Sequence, residues 1–468
     1  MVIIKFFGGV NQIGGNKFLI EDKDTSIFLD FGMNFTEKSK YFEEFIRPRA
    51  ANGIVDFLEM GLLPDIKGIY RHDLLEFAGM EKHPEPIIDG IILSHAHLDH
   101  SSCISFIDEK VPIFTSEITK LVLKIMQETS QRNIEDEIVN FKERPITDKR
   151  KKPIERNFPK VNGKFKVNGL EVELVLVDHS VPGACGIIVY TSNKIIAYSG
   201  DLRMHGTQGY LTKEFVERLK EIKPDVFLCE GTRIDENERT SEADVKTNCI
   251  NVVSKAKGLV IADFAWKDTT RFKTFFEVAK ETNRKLAIPF KDAYYIKAMR
   301  EFIPDLPKID DENILLYQDK KGSGTYSKSD YQLWEREFID MENTVKADYI
   351  NKHQDEIIIA IGYYDLPELI DLKPRVGSIY IKSTSEALNE EEIFDLNRLH
   401  NWLNHFGIQY YHFHASGHAP GIDIVEMVNE INPKILIPIH TDKAEMFNRL
   451  VRKVNIVRAE VGKEIEIK

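Results

Sequence analysis

The octapeptide Leu93-Ser94-His95-Ala96-His97-Leu98-Asp99-His100 packs three histidines and one aspartate into its last six positions. In an extended backbone alternate side chains point the same way, so His95 and His97 share a direction while Asp99 and His100 turn toward a second centre. Imidazole together with carboxylate is a donor set for zinc, with manganese or iron as outsiders. A single histidine is more often a surface or hydrogen-bonded residue than a ligand; a whole HxHxDH cluster reverses that expectation. Three later apolar runs end on further donors: Val175 to His179, Ala197 to Asp201, and Ile437 to His440. Together these supply seven ligands: His95, His97 and His179 for one zinc, Asp99, His100 and His440 for the other, and Asp201 as a bridge. Such a set leaves an open position for a shared hydroxide, which a catalytic site needs and a structural zinc site lacks.

These donors must be carried by strands whose ends converge. The first third of the chain reads as short apolar runs, Val2 to Phe7, Phe18 to Glu21, Ser26 to Asp30 and Ile88 to Ser94, each followed by polar loop residues, which suits buried strands. A second set covers Glu171 to Val177, Ile187 to Tyr190, Ile195 to Ser199 and Val226 to Cys229. From about Gly206 to Ser383 the pattern alternates: helices over Ser241 to Ala256 and Arg271 to Asn283, strands over Leu259 to Ala262, Ile314 to Tyr317 and Ile357 to Ile361. That alternation predicts a parallel α/β unit. Beyond it come a strand over Ser378 to Lys382, a helix from Glu391 to Phe406, a strand over Gln409 to Phe413, a helix near Ile422 to Ile431 and a strand over Ile435 to Ile439. Because ligands lie on both sides of the middle block, that block is expected to be an insertion: residues 1–205 and 384–468 form one domain, interrupted by 206–383.

With 468 residues and 42% hydrophobic content, the chain exceeds one typical core and reads as an ordinary globular protein of two domains. No apolar run approaches the roughly 18 residues of a membrane span and no leader is legible at the N-terminus, so a cytoplasmic protein without a membrane partner is expected. Cys103, Cys185, Cys229 and Cys249 lie far apart, which argues against a thiolate site or a disulfide framework and makes them small core residues. A net charge of −12 argues against nonspecific affinity for phosphate, which usually needs a basic face, but leaves room for a cleft that is locally positive.

The HxHxDH cluster, the strand-end His179 and the strand-end Gly200-Asp201 resemble the metallo-β-lactamase superfamily. The fold this implies is α/β: an αβ/βα sandwich, here with an inserted β-CASP α/β domain. Asp30, in Phe28-Leu29-Asp30-Phe31-Gly32, matches the superfamily's first-strand aspartate, which supports the ligand loop by hydrogen bonding; the alternative is a turn aspartate before glycine. Glu230 in Cys229-Glu230-Gly231-Thr232, His418 in Ser416-Gly417-His418, and His440 resemble the three motifs of β-CASP nucleases, and histidine at the third tilts the resemblance toward RNA. Within that group the chain resembles the RNase J family through Phe7 to Asn16, Val177 to Pro182 and His414 to Ala419. It departs from that family in ending about 28 residues after His440, which suits a short, archaeal-type member. It also lacks prolines around Ser383-Thr384-Ser385-Glu386 and has Thr441-Asp442 where relatives usually have Gly-Glu.

The resemblance implies a ribonuclease with two Zn2+ per chain, Mn2+ being the alternative, that hydrolyses RNA phosphodiester bonds with hydroxide activated by both metals. Asp99 joins the catalytic set, His418 is the candidate acid for the leaving oxygen, and Glu230 holds it charged. A helix-start carboxylate and a loop histidine are the plainer readings of Glu230 and His418. His414, Ser416 and Ser383 are candidate donors to a terminal phosphate, which implies 5′-to-3′ cleavage from a monophosphorylated end, with endonuclease action as the alternative. The basic run Lys149 to Lys152, continued by Arg156, Lys160, Lys164 and Lys166, could hold RNA or be a solvated loop. Trp266 with Arg271 could stack a base or pack in the core. Competing functions are hydrolysis of a small ester or lactam, a DNA-directed β-CASP nuclease, and an inactive scaffold; single-stranded DNA and a second copy of the chain are the alternative partners.

Overall fold

The computed structural model describes residues 1–130, 133–148, 150–385 and 390–468. Two compact units emerge, the first formed by Met1–Met204, Gln208–Glu238 and Gly417–Lys468, the second by His205–Thr207 and Arg239–Ser416.

The first unit stacks two mixed sheets. One has six strands in the order Glu464–Ile467, Val2–Phe6, Phe18–Asp22, Thr25–Leu29, Gly90–Ile92, Ile113–Phe114; the other has seven, in the order Asn455–Ile456, Ile435–Ile439, Val226–Glu230, Ile195–Tyr198, Cys185–Tyr190, Leu170–Leu176, Lys164–Val167. Alternation along each strand builds the layers. Val2, Ile4 and Phe6 face a core shared with Ile187, Val189, Val226, Leu228, Ile437 and Ile439 of the second sheet. The intervening Ile188, Phe227 and Leu436 turn to the opposite face, where helix Gly209–Ile222 contributes Phe215 and Leu219 and helix Gly421–Ile431 contributes Ile424, Met427 and Val428. Apolar residues three or four apart give each helix one buried stripe. This is the αβ/βα sandwich that the ligand pattern implied.

The second unit is built on a seven-stranded parallel sheet in the order Thr344–Val345, Ile314–Tyr317, Lys285–Pro289, Ile357–Ala360, Val260–Asp263, Ile379–Lys382, Gln409–His412. Its strands read Val-Ile-Ala or Ile-Leu-Leu because both faces are covered, and helix Glu390–Phe406 adds Leu399 and Leu403 to the core. Helix Glu242–Val253 starts on a capping box, Ser241 Oγ accepting from Asp244 N at 3.2 Å and Asp244 Oδ2 from Ser241 N at 2.9 Å.

The units divide the chain at other points than residues 205 and 383. Strand Val226–Glu230 pairs in parallel with both Ile195–Tyr198 and Ile435–Ile439, so it belongs to the sandwich. Gln409–His412 pairs with Ile379–Lys382, so the chain up to Ser416 belongs to the parallel sheet. Helices Glu117–Thr129, Gly209–Ile222 and Phe290–Met299 lie where no helix was expected. All four cysteines are buried and unpaired, as expected of core residues. Among the described residues no helix is long and apolar enough to cross a membrane.

Candidate metal centre

Strand Gly90–Ile92 delivers the chain to His95; His97 is still extended (φ −69°, ψ 146°), and the helical turn Leu98–Ser101 begins at once. The switch from extended to helical backbone is what separates the directions of His95 and His97 from those of Asp99 and His100. The turn is held from below by the glycine-rich N-terminal segment, where Gly15 N and Asn16 N donate to the Asp99 carbonyl at 3.0 and 3.2 Å. Gly32 lies against the same carbonyl so closely that a Cβ there would stand 1.9 Å from it.

All seven expected ligands come together in the first unit. One atom from each of His95, His97, His179 and Asp201 lies within 4.8 Å of the others, and the same holds for Asp99, His100, Asp201 and His440. Asp201 is common to both groups: its Oδ2 is 3.6 Å from His95 Nε2, 3.1 Å from His100 Nε2 and 3.7 Å from His440 Nε2. His440 Nε2 faces Asp99 Oδ2 at 3.1 Å. His440 is itself held in the left-handed region (φ 49°), with its amide donating to the Gly9 carbonyl at 2.7 Å.

Hydrogen bonds assign the tautomers. His179 Nδ1–H donates to the Gly417 carbonyl at 2.6 Å. Ser94 Oγ spends its proton on Asp30 Oδ2 at 2.7 Å, so the 3.0 Å contact with His95 Nδ1 has histidine as donor. Both rings are neutral: burial, then neighbouring histidines, hold them well below the usual histidine range. Their Nε2 lone pairs therefore point inward, 3.1 and 3.0 Å from His97 Nδ1. His97 Nδ1 has at most one proton to give, so at least one pair of lone pairs faces without a proton between them, a repulsion that a cation would relieve. The second group gives the same answer: burial opposes a charge on His100, but Asp201, Asp99 and Asp30 outweigh it and raise that ring well above its usual pKa. Asp201 Oδ1, fully buried, finds no hydrogen-bond partner. Positive charge is what this cluster lacks, and the donor set fits zinc.

Asp30 lies behind the candidate ligands, where four hydrogen bonds converge on it. Its carboxylate accepts from Ser94 N, Ser94 Oγ and His100 Nδ1, all at 2.7 Å, and from Tyr198 Oη at 2.5 Å. Burial and then the Asp30 charge raise Tyr198 far above the usual phenol range, so it stays a donor. Ser94 and Tyr198, with Thr232 Oγ1 at 2.8 Å from His440 Nδ1, escaped sequence reading. Each is a common residue at a strand end, and only its position behind a ligand marks it.

Glu230 and His418 also meet in this unit. The fully buried Glu230 ends its strand, takes Leu202 N on Oε1 at 2.8 Å and His418 Nδ1 on Oε2 at 3.0 Å. Burial lowers the His418 pKa, but the charges of Glu230 and Asp201 outweigh it and raise the value to about 9.

The remaining candidates lie in the second unit. Arg271, fully buried, is clamped by Glu242 (Nε to Oε2 and Nη2 to Oε1, both 3.0 Å) and donates to Ser383 Oγ at 2.6 Å; His414 Nδ1 stands 3.4 Å away. Ser383 Oγ gives its own proton to the Phe413 carbonyl at 2.6 Å. Burial and then Arg271 lower His414 to about 3, so it is neutral and not a cationic donor. The Ser416 carbonyl meets His205 Nε2 at 2.9 Å. Arg271 is thus turned inward and does not pair with Trp266, which packs edge-on against Tyr295 with Lys291 Nζ 4.4 Å over its ring. In the basic run of the first unit, Arg156 is buried against Phe141 and donates to the Ser105 carbonyl at 2.7 Å, a structural role. Lys151 pairs with Glu143, and Lys164 with Glu171 at 3.0 Å. Lys149 and Glu386 lie outside the described residues.

Fold and site together define a metal-dependent hydrolase of the metallo-β-lactamase superfamily. Residues 72–261 match the β-lactamase superfamily domain and residues 407–466 the Zn-dependent metallo-hydrolase RNA specificity domain. Among curated relatives, Ribonuclease J of Mycoplasma genitalium is 23% identical, with 93% of this chain aligned to 67% of that protein. Ribonuclease J of Pyrococcus abyssi is 21% identical, covering 100% of this chain and 95% of the relative. A crystal structure of a protein of unknown function from Enterococcus faecalis shares the fold, with a TM-score of 0.73 at 21% identity over 99% of both chains. Along nearly its whole length the chain is thus similar to proteins named Ribonuclease J.

Proposed function

We propose that this protein is a zinc-dependent ribonuclease with two zinc ions per chain. The observation that carries the reading is the inward Nε2 lone pairs of His95 and His179, gathered with His97 beside the Asp99, His100 and His440 group and joined at Asp201. Zinc bound there would neutralise a nonbridging phosphate oxygen and lower the pKa of a water to about 7. The chain's own residues do the rest. Asp30 fixes His100 in the tautomer that presents Nε2, and the Gly417 carbonyl does the same for His179. His418, kept protonated by Glu230, is the acid positioned to give a proton to the leaving oxygen. His440, at the third β-CASP motif, supports RNA over DNA, as do the match to an RNA specificity domain and the named relatives.

The second unit is read as the inserted β-CASP domain. Recognition of a 5′-monophosphate by Ser383, His414 and Ser416, and hence 5′-to-3′ cleavage, rests on the family resemblance: Ser383 Oγ already donates to the Phe413 carbonyl and His414 is neutral, so a phosphate would have to draw them out of these contacts.

End-labelled RNA and DNA, incubated with and without chelator, test the whole reading. Early release of labelled mononucleotide from 5′-monophosphorylated RNA, abolished by chelator and restored by zinc, is expected. Cleavage that survives exhaustive chelation refutes the metal chemistry, and a spread of labelled internal fragments from phosphorylated and hydroxyl ends alike refutes the end pocket. Equal turnover of DNA refutes the RNA preference.

A further inference from the structure

We propose that His72, His83 and Asp108, in the first unit and outside the centre described above, form a further divalent-cation site of the zinc type. One atom from each residue lies within 4.8 Å of the others. Asp108 Oδ2 is 3.5 Å from His72 Nε2 and 3.8 Å from His83 Nε2. Those separations are too long for hydrogen bonds. They are close to the edge of a tetrahedron, about 3.3 Å, whose corners stand roughly 2.0–2.1 Å from a central zinc. His83 Nε2 is hydrogen-bonded to the Tyr70 carbonyl at 3.1 Å; a cation would take the lone pair of that nitrogen and leave its proton on Nδ1.

Ordinary packing does not account for the cluster. Asp108 is 1% exposed, and the two imidazoles stand nearest to its Oδ2, with the charge of Lys110 also acting on it. A buried carboxylate without a cation costs several kcal/mol, so such groups are paired or bind metal. His72 Nε2 is buried with no hydrogen-bond partner, so hydrogen bonding does not explain where that nitrogen points. The carboxylate is aimed: its Oδ1 accepts from Lys110 N at 2.9 Å, which leaves Oδ2 for the imidazoles.

The scaffold is preorganised. Arg71 N donates to the Phe106 carbonyl and Asp108 N to the Ile69 carbonyl, both at 2.9 Å, which sets Asp108 beside the start of helix His72–Phe77. Lys110 Nζ ties the loop after His83 through Glu85, at 2.9 and 3.0 Å. His72, with its side chain 33% exposed, gives a path from solvent. Imidazole and carboxylate select zinc-type ions over magnesium or calcium. Asp108 lies on the continuous segment that begins with the HxHxDH cluster, so a cation here would pin the far end of that segment to the loop 72–85.

The test is zinc content of the full-length chain after equilibration with zinc and removal of loose metal, comparing wild type with H83A and D108N. Each variant is expected to hold one zinc fewer than wild type and to keep nuclease activity. Crystals of the wild type soaked in zinc should give an anomalous peak at the zinc edge between the three side chains. Equal zinc content in folded variants overturns the proposal, as does a map with anomalous density at the HxHxDH centre and none here. Should a variant fail to fold, the anomalous map alone decides.

Discussion

In the proposed mechanism His418, paired with Glu230 at 3.0 Å, holds the proton for the leaving oxygen. The folded-state pKa of His418, about 9, exceeds the ordinary histidine value of 6.5, so folding favours the charged ring. Its stabilising contribution is complete below about pH 6.5 and is lost as pH rises through 9. The acid form needed for the leaving oxygen is lost in the same direction. Cations in the neighbouring ligand groups lower the value, so the alkaline limb of the metal-loaded enzyme should fall below 9. His418→Ala is expected to slow cleavage by about 10²- to 10⁴-fold with zinc content unchanged. Glu230→Gln should move the alkaline limb to lower pH by about 1–3 units, the usual effect of removing an adjacent opposite charge. An unmoved limb in a pH–rate profile would count against the pair, and loss of zinc from His418→Ala would make it a ligand. Asp30 acts one step further back. Asp30→Asn leaves the volume intact but weakens the acceptor for His100 Nδ1, Ser94 and Tyr198, and should cost about 10- to 100-fold in zinc affinity by chelator competition. Wild-type affinity in a folded variant would remove Asp30 from the site.

At the scale of elements, the close approach of Gly32 to the Asp99 carbonyl fixes where the ligand turn sits. Gly32→Ala places a methyl group 1.9 Å from that oxygen, and relieving the overlap must displace the turn or the strand end. A loss of about 1–3 kcal/mol in urea unfolding is expected, together with a fall in cleavage rate; wild-type values of both would show that the turn has slack. In the second unit the corresponding device is Arg271 on Glu242, which ties helix Thr269–Glu281 to helix Glu242–Val253 and reaches Ser383. Arg271→Ala leaves a buried carboxylate uncompensated, and about 3–5 kcal/mol of that unit's stability should go with it. All three tryptophans, Trp266, Trp334 and Trp402, lie in the second unit, so tryptophan fluorescence reports its unfolding directly.

The same distribution allows a test at the scale of the whole molecule. Every candidate ligand of the HxHxDH centre lies in the first unit. Binding stabilises the state that binds by RT ln(1 + [L]/Kd), about 2.7 kcal/mol when zinc stands at 100 times its Kd. Chelation is therefore expected to abolish cleavage and lower the far-UV unfolding midpoint while leaving the tryptophan transition in place. The chain should remain folded, because the sandwich core does not depend on the ion. A tryptophan transition that moves with the metal would mean that the two units unfold as one.

Much of the site was legible before any coordinates. HxHxDH crowds four donors into six positions, and the remaining ligands sit where apolar runs stop, because strand ends are where a buried scaffold meets solvent. Strand positions followed for the same reason: Ile314–Tyr317 and Ile435–Ile439 are runs that only a covered sheet accommodates. Other features are not local properties of the chain and were decided by the tertiary structure alone. Val226–Glu230 belongs to the sandwich because of the two strands it pairs with, 30 residues before it (Ile196↔Val226) and 209 after (Val226↔Ile435). Arg271 and Arg156 look like exposed cations in sequence and are buried ones in the fold, since a guanidinium goes inside wherever distant carbonyls and carboxylates satisfy it. His72, His83 and Asp108 carry no motif spacing at all. Only the pairing of the segment around Tyr70 with that around Ile107 brings them to one point.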